Sequence, residues 1–104
     1  MKIVYNNILP FKGFIAINLF GVLFVRGTSI SFQTLHHEEI HTAQMKEMLY
    51  VFFYLFYVIE WLIRLFKYQS WAYYNISFER EAYANMSNSN YLKERKWYAW
   101  VKYL

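Results

Sequence analysis

The sequence predicts a small α+β domain: an N-terminal β-hairpin or short sheet, then a long helix, then one or two further helices. Three observations predict it. Two apolar runs rich in β-branched residues, 14–19 and 22–26, flank a Phe20-Gly21 pair that can turn, as two short strands in a hairpin would. Residues 35–66 contain neither Gly nor Pro, so nothing there interrupts a helix. Ser77 then opens a helix-forming run that reaches Met86, and it is the expected N-cap. At 104 residues the chain is expected to form one domain, 1–104, with a real core and little room for a regulatory module.

The elements follow in order. Pro10 and Gly13 close off an N-terminal lead before the hairpin. Gly27-Thr28-Ser29 breaks the strand pattern, and helix-start residues cluster at Ser31 and Thr34. On one continuous helix His37, His41, Gln44, Met48, Leu55, Ile59 and Leu62 share a side, so the polar face would run on as a buried apolar seam. Lys46, Phe53, Tyr57, Glu60 and Arg64 fall opposite, where Glu60 and Arg64 form an i,i+4 pair. A helix of roughly thirty residues is long for such a domain, which leaves a break near its middle open. Residues 67–75 read as a connection, 87–90 as a turn, and the last segment as amphipathic.

Composition narrows the function. Aromatic residues form 24 % of the chain, which calls for a large apolar interior, an exposed apolar face or membrane contact. Residues 48–59 are uncharged and apolar, but extending them to a membrane-spanning length takes in Glu60 and Arg64. Peripheral membrane contact is therefore expected over a span. No small-x-small site follows residues 13–25, so no signal peptide is read and a cytoplasmic or membrane-associated location is expected. The net charge of +4 is spread along the chain, with no dense basic stripe for nucleic acid. There is no cysteine and no aspartate, which excludes thiol catalysis and Cys-ligated zinc.

One segment names a chemistry. His37-Glu38-Glu39-Ile40-His41 is an HExxH sequence, and the only other histidine is the adjacent His36. Histidines four residues apart lie one helical turn above each other, so both rings can reach one metal ion. Glu38 can then hold a water against that metal and take its proton. A catalytic zinc usually has three protein ligands. His36 is too close in register to serve well, so the third is sought among Glu47, Glu60, Glu79, Glu81 and Glu94. Glu60 lies on the wrong side of its helix. Glu79 shares a face with Ala82, Tyr83 and Met86, which reads as buried; Glu81 shares one with Asn85 and Asn88, which reads as solvated. A carboxylate on an apolar face needs a partner such as a metal ion, so Glu79 is the expected ligand.

HExxH followed by Glu79-Arg80-Glu81-Ala82 on a later helix resembles the gluzincin zinc metallopeptidases. Within them the chain is similar to the small minigluzincins and related membrane peptidases. Their later helix begins E-x-x-A-D; here Tyr83 stands in place of the acid. Gln44 matches an HExxHxxQ variant. The resemblance covers roughly residues 14 to 86 and implies a zincin-like domain. It implies Zn2+ held by His37, His41 and Glu79, with Glu38 as general base on the zinc-bound water. The substrate would be a peptide or protein aligned on the hairpin edge. Tyr83, or another of the tyrosines, would supply the oxyanion donor.

Two other readings stand beside it. One is an inactive zinc-binding or metal-free aromatic-rich module for protein or membrane contact, in which His and Glu only satisfy helix-surface contacts. The other is half of a di-iron site, from Glu38-x-x-His41; it fails because no histidine follows His41.

Overall fold

Strand alternation builds the sheet. In β3 (Val22–Arg26), Leu23 and Val25 are fully buried while their neighbours are half-buried, the period of two that a one-sided sheet requires. The computed structural model describes residues 1–10 and 12–104. β3 is central: β2 (Ala16–Leu19) pairs with it antiparallel through the expected hairpin, and β1 (Lys2–Asn6) pairs with it in parallel on the other side. β1 lies in the segment read from sequence only as a lead. At the hairpin tip both Phe20 (φ 53°) and Gly21 (φ 87°) take positive φ, as a two-residue turn between twisted strands demands.

The inward face of β2 carries a polar residue. Asn18 donates to the Glu38 carbonyl and to Thr42 Oγ1, each at 3.0 Å, and accepts from the Gly21 N–H. This docks β2 on helix α1 (Phe32–Glu47) at the HExxH turn. Ser31 caps α1 by accepting from the Thr34 N–H at 3.1 Å. The buried face of α1 is His36, His37, Ile40, His41, Gln44 and Met45, at helical spacing.

The long helix breaks. Leu49 (φ 52°) and Tyr50 (φ 62°) turn the chain, the Tyr50 N–H bonds back to Met45 O, and the helical path resumes at α2 (Val51–Tyr68) bent by 109°. The bend overturns the expected continuous seam. Leu55, Ile59 and Leu62 are 43–51 % exposed, while Phe53 is buried and Tyr57, Glu60 and Arg64 turn inward. Met45, Met48, Phe53, Ile76 and Phe78 form the main core, with Tyr50, Tyr54, Tyr57 and Trp100 against it. Among the described residues no single helix is long and apolar enough to cross a membrane; residues of α1 and α2 pass that test only as the bent pair.

Helix α3 (Ser77–Asn85) starts differently from expectation. Ser77 is its first helical residue and not its cap. Its N–H and Oγ donate to the two oxygens of Glu60, at 2.6 and 2.5 Å, and Arg64 pairs with Glu60 at 3.3 Å. Glu60 thus caps α3 from α2, where the helix dipole favours an anion. Because Ser77 is fully buried, Glu60→Ala leaves two donors unmet. Unfolding stability is expected to fall by about 1–3 kcal/mol, with Glu60→Gln losing less; urea midpoints check this. The chain ends in a short helix α4 (Tyr91–Glu94) and a 3₁₀ segment, Ala99–Tyr103, against α3.

Candidate metal centre

α1 and α3 bring together the three residues expected as ligands. Nε2 of His37 and Nε2 of His41 lie 3.0 and 2.9 Å from the same oxygen, Glu79 Oε1, and 3.1 Å from each other. All three side chains are buried. Helical spacing stacks the two histidines on α1, and Glu79 in the first turn of α3 reaches across to both. The other oxygen of Glu79 accepts from the Tyr57 hydroxyl at 2.7 Å.

Hydrogen-bond logic fixes one tautomer. The Gln44 Nε2 donates to the Phe78 carbonyl and to Glu81 Oε1, so its Oε1 must face His41 Nδ1, 2.8 Å away. A carbonyl oxygen only accepts, so the network assigns the proton to Nδ1. When neutral, His41 therefore presents a bare Nε2 to the cluster, as a metal ligand must.

Protons alone cannot satisfy this triangle. A proton on His41 Nε2 leaves the lone pair of His37 against Glu79. A proton on His37 Nε2 leaves that of His41 against Glu79, and protons on both crowd two N–H groups onto one oxygen with their nitrogens only 3.1 Å apart. One cation touching all three atoms removes the conflict, and two imidazoles with a carboxylate form a donor set suited to a divalent metal. These three residues can hold a metal ion.

Without a metal the cluster holds a proton instead. Burial works against a charge on His41, but the Glu79 carboxylate outweighs it and pushes His41 up to about 9. Burial would raise Glu79; the His41 charge and the bonds from His37, His41 and Tyr57 instead hold it well below the usual carboxylate range. Glu38 is raised by burial, with His41 and His37 pulling back.

Beside the cluster lies a pocket of about 430 Å³. Glu38, His41 and Glu79 line it, with Phe14, Ala16, Ile17 and Asn18 from the hairpin, Met45 from α1, and Phe53, Tyr54 and Tyr57 from α2. Among the described residues the Glu38 carboxylate has no hydrogen-bond partner. Tyr83 packs edge-on against the His37 ring at 4.4 Å, and the hydroxyl residues that line the pocket are Tyr54, Tyr57 and Tyr73. Burial, reinforced by Glu79, pushes the Tyr73 and Tyr57 hydroxyls upward, so both stay protonated donors.

Glu81 departs from expectation. It is fully buried, not solvated. It accepts from Gln44, from Tyr91 at 2.6 Å and from Arg95 Nε at 2.5 Å, and Arg95 also reaches Glu47 at 2.8 Å. Burial pushes Glu81 up, but Arg95, Tyr91 and Gln44 hold it below the ordinary range. The sequence reading missed this support, as it missed Tyr57 and Tyr73. Of the other carboxylates weighed as ligands, Glu47 is held by Arg95, Glu60 caps α3 and Glu94 is exposed. His36 is buried against Phe32 and stays outside the cluster.

No family model, curated protein or solved structure matches the chain.

Proposed function

We propose that this chain is a zinc-dependent peptidase of the gluzincin type, in a zincin-like domain. The observation that carries the reading is the convergence of His37, His41 and Glu79 on one point at the wall of a pocket that Glu38 shares. A site of three protein ligands beside open space is the pattern of catalytic zinc, whereas structural zinc is usually closed by four. When bound, zinc supplies Lewis acidity, making water more acidic and polarising a carbonyl. Glu38 takes the proton from the attacking water and passes it to the leaving amine; burial raises its pKa, which strengthens it as the base in the first transfer. Among the described residues the sheet order leaves the outer edge of β2 unpaired, and Ala16, Ile17 and Asn18 border the pocket. An extended peptide can add there as a further strand. Tyr73, on the pocket wall near Glu79, is better placed than Tyr83 to donate to a developing oxyanion.

The test is zinc per chain by elemental mass spectrometry, alongside cleavage of a quenched fluorescent peptide mixture. About one equivalent with chelator-sensitive cleavage is expected. No zinc, and no uptake on titration, would overturn the proposal.

Metal removal has a pH signature. In the chelated chain the folded pKa of His41, about 9, lies above its ordinary 6.5. The His41–Glu79 pair then stabilises fully below about pH 6.5 and fades as pH rises through 9. The zinc form behaves oppositely, since zinc needs neutral imidazole and binds tighter as pH rises. Melting temperature is therefore expected to fall with pH in the chelated chain and hold or rise in the loaded one. Equal slopes by calorimetry would contradict this.

A further inference from the structure

Helix α2 is turned inside out for a helix in water. Its charged Glu60 and Arg64 face inward, and Phe53 is its one buried residue. On its outer side Phe52, Leu55, Ile59, Leu62, Ile63 and Phe66 are each between 43 % and 94 % exposed. At 100° per residue, the exposed apolar residues run unbroken from Val58 round to Phe56, an arc of about 160°. Lys67 stands at one rim of that arc, and Trp61 lies beyond the other.

We propose that this face rests on a phospholipid surface, with α2 lying in the plane of the bilayer. Three features favour lipid over a second copy of the chain. A helix–helix seam covers a narrower stripe and would leave much of this arc in water. α2 contains no Gly, Ala, Ser or Thr, the small residues that let apolar helices approach closely. Lysine at a rim is a side chain that settles at the headgroup boundary, and the net charge of +4 suits anionic lipids. The in-plane pose follows from the inward side: it holds Tyr57, Glu60 and the core, so only one side of α2 can meet lipid. A broad exposed apolar face with a lysine at its rim suits an interfacial helix.

The absence of cysteine makes the test clean. Phe66→Cys and, as a distant control, Lys93→Cys each take one polarity-sensitive fluorophore. Each is then titrated with vesicles of equal parts phosphatidylcholine and phosphatidylglycerol. The label at position 66 should shift blue and brighten while that at 93 does not. Leu55→Glu with Leu62→Glu, both at exposed sites and so compatible with folding, should lower vesicle partitioning by about tenfold or more with circular dichroism unchanged. No partitioning, equal response of both labels, or undiminished partitioning of the double variant would overturn the proposal. So would a dimer in vesicle-free solution that the double variant splits, since a second copy would then own the face.

Discussion

Glu79→Ala is expected to yield a folded chain that no longer retains zinc. Glu79 contributes the one oxygen that both imidazoles face, at 3.0 and 2.9 Å, and it arrives from a different helix. Without it, two histidines on one turn of α1 remain, and the metal no longer bridges α1 to α3. Affinity should fall well beyond the about 10–100-fold that changes behind a ligand typically cost. Glu81→Gln supplies that contrast. Glu81 touches no ligand but orients Gln44, which sets the His41 tautomer, so its loss should weaken zinc by about 10–100-fold and no more. Chelator competition on both variants decides the matter. If the Glu79 variant keeps full occupancy while the Glu81 variant empties, the ligand assignment is wrong.

Glu38→Gln should separate the metal from the chemistry. Glu38 lines the pocket beside His41 and Glu79 and lies outside the metal-binding trio. The isosteric amide keeps shape and loses proton transfer, a contribution of about 10²–10⁴ in rate. Zinc content should stay at the wild-type level while turnover collapses by about that factor. A variant with undiminished cleavage would place the base elsewhere.

Local signals were legible in the sequence, and long-range ones were not. The hairpin showed because both strands and their turn are contiguous, and the His37–His41 pair showed because i,i+4 spacing is itself the geometry. β1 gave no sign, since its partner β3 lies 20 positions on and pairs in parallel, without a turn to mark it. A break was open from the helix length, but its position at Leu49 and Tyr50 was hidden because neither residue is one that ordinarily favours positive φ. With the break, the phase of α2 changed, and Leu55, Ile59 and Leu62 moved from an expected seam to the surface. Periodicity placed Glu79 correctly, yet misjudged Glu81 only two residues away. What makes Glu81 tolerable inside the protein is Arg95, in a segment read merely as amphipathic.

That same guanidinium has an evolutionary consequence. Arg95 joins Glu81 on α3 to Glu47 at the end of α1, with both carboxylates almost wholly buried. Losing the cation alone strands two anions in the interior, and losing Glu81 alone loosens the grip on Gln44. The first step costs far more than the second, so in diverging copies of this fold Arg95 should be lost only where position 81 has already lost its charge. A carboxylate and an arginine fourteen residues apart, behind an HExxHxxQ helix, would then be the pattern by which such copies are recognised.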